Sequence, residues 1–219
     1  EFKKEFPESG EDIKVMGFRL GDRLSLTVAM AFVDRFVPSE AHYFRVKDVM
    51  MERIYDFVKE HFDFPEVKVE LNVLDQPGRG LGGVYLTVLG TSADSGDSGQ
   101  VGRGNRVNGV IPLNRPMCSE AAAGKNPVSH VGKIYNVLTH QMARAIYEQV
   151  PGLREVYVWL LSQIGKPVDE PLVAASQVIL EPGTKLKEVE GQIKDVMEAE
   201  LDSIKDLIWK LARGEIPIC

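Results

Sequence analysis

From Gly90 to Gly124 the chain carries no sustained apolar period and is dense in glycine. A connection longer than about 15 residues without structure of its own is uncommon inside a compact domain, where it is functional or disordered. Val107, Val110, Ile111 and Leu113, with no tract of Lys or Glu, favour an ordered, functional loop. Such a stretch has no continuous apolar face to bury. Fixing each of its backbone residues costs about 1–2 kcal/mol. Residues 91–126 are therefore expected to be ordered mainly by partners the chain does not carry: a further segment, a second subunit or a ligand.

Charge sharpens this expectation. Between Gly99 and Tyr135 stand Arg103, Arg106, Arg115, Lys125 and Lys133 against the single acid Glu120, a surplus of +4 in a chain whose net charge is −6. A basic island in an acidic chain suits a small polyanion; a set of solvated side chains on an irregular loop has the same composition. The acidic balance argues against nonspecific nucleic-acid binding. No apolar run approaches the length of a membrane span, about 18 residues, and no basic start leads into an apolar leader. Cys118 and Cys219 are too far apart for a metal knuckle and read as free thiols, so a cytoplasmic location is expected. Position 1 is Glu rather than Met, which points to a longer gene product.

The flanks of the loop are periodic. Residues 12–20 and 23–33 read as two strands around the Gly21-Asp22 turn. A helix opens at Ser39 or Glu40 and carries Phe44, Met50, Ile54, Phe57, Val58 and Phe62 on one face. Val67, Val69, Leu71 and Val73 alternate as a half-buried strand, and Val84 to Leu89 make another. The result is a ββαββ layer. Beyond the loop, a helix from about Pro127 aligns Val131, Ile134, Tyr135, Leu138, Met142, Ala145 and Ile146 and stops at Pro151-Gly152. Strands over 156–161 and 172–180 flank a Gly165-Lys166-Pro167 turn. One long amphipathic helix then runs through Leu186, Val189, Ile193, Met197, Leu201, Ile204, Ile208 and Leu211.

General motifs fail. Ala123-Gly124-Lys125-Asn126 is not a P-loop, because Ser119 stands at the first glycine position and Asn126 replaces the magnesium-holding Ser or Thr. Gly102-Arg103-Gly104 lacks the third glycine of a dinucleotide fingerprint, where Val107 sits. His42, His61, His130 and His140 show no zinc spacing, and His42 and His61 read as helix-surface residues. No Gly-x-Ser-x-Gly elbow is present.

Longer runs are more specific. Gly90-Thr-Ser-Ala-Asp-Ser-Gly-Asp97, Val101-Gly-Arg-Gly-Asn-Arg-Val-Asn-Gly109, Asn114-Arg-Pro-Met117, the run from Glu120 through Gly124-Lys125-Asn126-Pro127 to Asn136, and Leu161-Ser-Gln-Ile-Gly-Lys-Pro-Val-Asp-Glu-Pro171 occur in order. Together with Glu11-Asp-Ile-Lys-Val-Met-Gly17, they resemble the signature blocks of archaeal S-adenosylmethionine synthetases. The resemblance spans nearly the whole chain, weakening in 39–83 and after 181. Three departures stand out. The family's preceding stretch with its Gly-His-Pro-Asp segment has no match here, Cys118-Ser119 replaces Ser followed by Met or Leu, and Trp159 stands where Arg is expected.

The resemblance implies attack of methionine sulfur on C5′ of ATP, loss of the whole triphosphate, and hydrolysis of that tripolyphosphate. Sulfur needs no general base; the step needs alignment and compensation of charge on the leaving group. On this resemblance Lys14, Arg103 and Lys125 take the catalytic phosphate-binding roles, the planar guanidinium of Arg103 suiting two phosphate oxygens. Asp97, Gly99, Gly102, Gly104, Gly124 and Asn126 bind substrate: Asp97 near the methionine amino group, the glycines by close backbone approach. Asn126 and His130 either support the ligand shell or cap the following helix. Asp94 reads as a turn former, and Arg106 and Lys133 fit surface salt bridges equally well. No metal ligand is assigned.

The resemblance further implies an α+β fold of sheet-plus-helix units built from partly non-contiguous chain. Residues 1–92 form one unit, 93–132 cross to a unit completed by missing chain, and 133–219 form another. Mg2+, with K+ as a further ion, ATP, L-methionine and a homodimer are the expected cofactors and partners, with neither nucleic acid nor membrane. Without the Gly-His-Pro-Asp stretch the chain alone is expected to be inactive. Two alternatives stay open: a noncatalytic nucleotide-binding or regulatory module pairing with a complete subunit, and an ATP-using enzyme that transfers a phosphoryl or nucleotidyl group.

Overall fold

A computed structural model describes residues 2–91, 107–118 and 120–218. The chain divides into two compact units, Glu1–Ala93 and Asp94–Cys219. Both mix sheet with helix, so the α+β expectation holds.

The first unit opens with a one-turn helix, α1 (Phe2–Glu5), followed by strands β1 (Ser9–Leu20) and β2 (Arg23–Val33). These two form an antiparallel hairpin whose register reaches Leu20↔Arg23. Gly21, at φ 60°, takes the left-handed turn position that glycine occupies without a steric cost. Helix α2 (Glu40–His61) starts at Ser39, whose side chain accepts the His42 amide, so the serine is the cap. α2 leads into β3 (Glu66–Leu71), which pairs parallel to β2. β4 (Leu86–Thr87) also pairs parallel to β2, further along, at Phe32 and Val33.

Strand β2 is thus the spine, and a gap opens beside Met30, between the ends of β3 and β4. Asn72 fills it with its carboxamide: Oδ1 accepts the Met30 amide at 2.8 Å and Nδ2 donates to the Met30 carbonyl at 2.9 Å. Nδ2 also donates to the Tyr43 hydroxyl at 3.0 Å. That hydroxyl donates to Asp75, which also receives Lys47. Burial, and then the Asp75 carboxylate, push the Tyr43 phenol well above its ordinary pKa. The core of the unit is Val28, Met30 and Phe32 of β2 against Tyr43 and Met50 of α2, with Phe6 and Leu71.

Several expectations need correction. β3 stops at Leu71 because Asn72 adopts φ 45°, so Val73 is outside the strand. The strand expected over 84–89 shrinks to two residues, and Val88 and Leu89 are exposed. Phe57 and Phe62 are also exposed. The buried stripe of α2 follows Met50, Ile54 and Val58 at four-residue steps; Phe57 falls one residue off it and stacks on His61 instead. His42, expected on the surface, is held by Glu8 at 2.9 Å.

Gly10 marks a tight crossing. A Cβ there would lie 2.3 Å from the Ala31 carbonyl oxygen and 2.5 Å from the Cα of Gly90, which itself has φ 79°. Backbone on both sides leaves no flexible atom to give way. We expect Gly10→Ala to destabilise the protein by about 1–3 kcal/mol, the usual cost of overpacking. A shift of the urea midpoint measures it, and an unchanged midpoint would refute the crossing.

The second unit is built around α3 (Val131–Gln149), with strands β5 (Leu153–Leu161) and β6 (Val173–Leu180) and helices α4 (Leu186–Asp202) and α5 (Ile204–Ala212). β5 and β6 are antiparallel. Ile146 and Val150 pack with Leu153 and the α4 residues Val189, Ile193 and Met197. Ile134, Val137, Leu138 and Met142 pack with α5 through Ile204, Leu207 and Leu211. The single C-terminal helix expected from periodicity is two helices. The break falls at Ser203, whose backbone (φ −90°, ψ 6°) leaves the helical region while its hydroxyl donates to the Glu200 carbonyl. Among the described residues no helix is long and apolar enough to cross a membrane.

Candidate functional site

Gly124, Lys125 and Asn126 come together at the entry to α3. Gly124 has φ 74°, a conformation that costs a side-chain-bearing residue about 1–2 kcal/mol. The glycine turns the chain from the loop into the helix approach. Asn126 Oδ1 accepts the Val128 amide at 2.9 Å, and its carbonyl accepts the His130 amide at 3.2 Å. His130 is the N-cap of α3, its ring nitrogen accepting the Gly132 amide at 3.1 Å. Of the two readings left open for Asn126 and His130, these bonds fit shaping and capping of the helix start.

Lys125 is anchored here. Its ammonium lies 2.7 Å from Glu120, and the lysine side chain is 15% exposed against 50% for the glutamate. A cation held this far out of water acts more strongly on an approaching charge than a solvated one. Ala122, between the two, is buried in the core beside α3. Residues 91–126 are expected to be ordered mainly by partners outside the chain, and at this end the chain's own core also contributes. A single small apolar residue, Ala122, docks it, and residue-by-residue periodicity does not register so short a contact.

Lys14 belongs to the first unit. It pairs with Ala29 in register, on the sheet face away from α2, and both Asp12 oxygens lie 2.6 Å from its ammonium. Its side chain is 65% exposed and that of Asp12 22%. Asp97, Gly99, Gly102, Arg103 and Gly104, with Arg106 and Asp94, lie outside the described residues. Lys133, read as a possible surface salt-bridge former, is buried. It sits four residues before Val137, on the buried stripe of α3. Among the described residues no group of three or more His, Cys, Asp or Glu could hold a metal ion. The described side chains thus do not supply a magnesium cage.

The sequence reading missed a second feature. A cleft of about 1000 Å³ in the second unit is walled by Arg115, Glu155, Tyr157, Trp159, Asn136 and His140. Arg115 donates to Glu155 at 2.9 Å and to the Tyr157 hydroxyl at 3.0 Å, and Tyr157 donates to Glu155. The Tyr157 hydroxyl, and then the Arg115 charge, hold the Glu155 carboxyl below its usual range. Tyr157 and Trp159 stack at 6.3 Å. Alternation along β5 puts 155, 157 and 159 on one face, which was the available signal.

His140 is exposed but stands on the cleft wall, and partial desolvation there lowers its pKa, an effect that solvent screening keeps small. A histidine whose folded pKa is depressed adds stability above the unfolded value, about 6.5, and loses it as pH falls through the folded one. Melting temperature should therefore drop on acidification from about pH 7 to 5, and His140→Gln should flatten that drop. An equally steep decline in the variant would place the acid sensitivity elsewhere.

Comparison with known proteins adds independent findings. The family model for S-adenosylmethionine synthetase (AdoMet synthetase) matches residues 1–215. The chain is 48% identical over 216 residues to the S-adenosylmethionine synthase of Methanothermobacter thermautotrophicus, covering 99% of this chain and 54% of that protein. It is 52% identical over 204 residues to that of Thermococcus onnurineus, covering 93% and 50%. The Pyrococcus furiosus synthase is 52% identical over 217 residues, covering 99% and 53%. The chain spans about half the length of the curated relatives it matches.

Proposed function

The chain belongs to the S-adenosylmethionine synthetase family, and from that membership we propose that it supplies the phosphate-binding half of an enzyme joining ATP and L-methionine. The observation that carries the reading is the half-buried, ion-paired ammonium of Lys125 beside the Gly124 turn. The methionine sulfur lone pair forms the S–C5′ bond, the C5′–O5′ bond breaks, and its electron pair leaves with the triphosphate. Charge grows on the leaving oxygen, so cations fixed in advance lower the barrier without reorganising. Lys125 and Arg103 take that role, and Lys14 takes a phosphate role on the strength of its Asp-x-Lys motif. Asp97 binds methionine, and Gly99, Gly102, Gly104 and Gly124 let the backbone approach the nucleotide.

Magnesium, with potassium as a further ion, is the proposed cofactor; neutralising the triphosphate is the chemistry it would supply. Among the described residues no group of three or more His, Cys, Asp or Glu stands ready to hold it. Residues 93–132 contribute to a site completed by the half of the family's length that this chain does not span. A homodimer is the proposed assembly.

Product analysis tests the reaction class. Family-length protein carrying this chain, given ATP and methionine, should yield S-adenosylmethionine with phosphate and diphosphate in equal amounts. Formation of ADP or of a nucleotidylated product would overturn the proposal. Nucleotide binding without turnover would favour the noncatalytic module.

A further inference from the structure

We propose that Glu120 is a positioning residue for Lys125: its carboxylate holds the ammonium in the empty site and gives it up when a phosphate oxygen arrives. The inference rests on the reading of Lys125 as a phosphate cation.

Geometry sets the pair apart from that of Lys14, the other described candidate phosphate lysine. In Lys14–Asp12 the lysine is the exposed member, 65% against 22%. In Lys125–Glu120 the order is reversed, with the cation at 15% and the carboxylate at 50%. Such a pair opens from its wet end. Glu120 swings out to solvent while the ammonium stays where the Gly124 turn has placed it. The stem of Glu120 lies over the first turn of α3: its Cγ is 3.1 Å from where a Cβ on Gly132 would stand. The absence of a side chain at 132 leaves the space that the glutamate uses.

The energetics favour exchange. A lysine stem has four rotatable bonds, and immobilising it costs up to about 2 kcal/mol of rotamer entropy. Glu120 meets much of that cost before substrate arrives. A partly exposed ion pair contributes only about 0.2–1 kcal/mol, little against a ligand carrying several negative charges. The same carboxylate recaptures the ammonium as the cleaved chain departs, which promotes release. Glu120 therefore trades binding strength for release.

The test is calorimetric titration of inorganic tripolyphosphate into family-length protein carrying this chain, with steady-state kinetics alongside. Glu120→Gln removes the charge and keeps the shape, and Glu120 is half exposed, so the fold is not at stake. Tripolyphosphate should bind tighter by about 1.4- to fivefold, the range set by losing one partly exposed competing pair. KM for ATP and kcat should fall together, because release slows. In a Lys125→Met background, Glu120→Gln should change neither quantity. If Lys125→Met weakens binding while Glu120→Gln leaves it unchanged or weakens it, the positioning role is wrong and the phosphate role of Lys125 stands. If Lys125→Met leaves tripolyphosphate affinity unchanged, the phosphate role fails, and this inference fails with it.

Discussion

In family-length protein carrying this chain, Arg103→Ala and Lys125→Ala should each lower kcat by roughly 10²–10³, the usual loss when one preorganised donor to developing charge is removed. KM for methionine should move far less, because neither side chain is assigned to that substrate. The reasoning for Lys125 is structural. Its ammonium is half-buried and already held within 2.7 Å of a carboxylate, so it meets the growing negative charge with little reorganisation. For Arg103 the reasoning is its motif and its planar fork, which matches two oxygens at once. Arg106→Ala is the control within the same loop and should cost much less. Steady-state kinetics with both substrates varied decide the matter. An Arg106→Ala loss as large as that of Arg103→Ala would mean that the roles within the loop are misassigned. A Lys125→Ala loss expressed only in KM would mean uniform binding rather than transition-state stabilisation.

Where apolar residues repeat at a fixed step, the sequence was enough to place the elements. α3 is the plainest instance. Ile134, Tyr135, Leu138, Met142, Ala145 and Ile146 were expected on one face and are buried. The hairpin at Gly21 and the cap at Ser39 were legible because each has a single local physical cause. What escaped were features settled by one contact. The last helix is split by the backbone angles of the single residue Ser203, which leaves the apolar period of Leu201, Ile204 and Leu211 intact. Lys133 is buried by its place on a helix stripe, although its residue type points outward. At the site, Gly124-Lys125-Asn126 was found through long family-like runs. Glu120 was counted only as the lone acid among five bases, because its pairing with Lys125 depends on a turn rather than on a period. The Arg115, Glu155, Tyr157 and Trp159 cluster joins a loop to a strand far away in sequence, which no local pattern encodes.

Asn72→Ala should be among the most destabilising single substitutions in the first unit, costing at least about 3 kcal/mol from two separable sources. The first is hydrogen bonding. The carboxamide satisfies the amide and carbonyl of buried Met30 at the gap between β3 and β4, and it donates to the Tyr43 hydroxyl. Alanine leaves the Met30 amide and carbonyl enclosed without partners, each at a cost of about 1–3 kcal/mol, while the Tyr43 hydroxyl keeps Asp75 and the Tyr85 amide. The second source is the backbone. Asn72 has φ 45°, tolerable for asparagine and unfavourable for alanine by about 1–2 kcal/mol. Asn72→Gly separates the two, because glycine accepts the angle but restores no bond; it should recover only that backbone share. Asn72→Asp keeps the acceptor for the Met30 amide and turns an oxygen toward the Met30 carbonyl, so it should fall between alanine and the native residue. Equilibrium unfolding in urea gives the ordering, and hydrogen exchange at the Met30 amide reads the lost bond directly. The exchange should accelerate in the alanine and glycine variants and stay slow in the aspartate. If alanine and glycine prove equally mild, below about 1 kcal/mol, then water or a shifted strand replaces the carboxamide and β2 does not depend on Asn72 to bridge its two short partners.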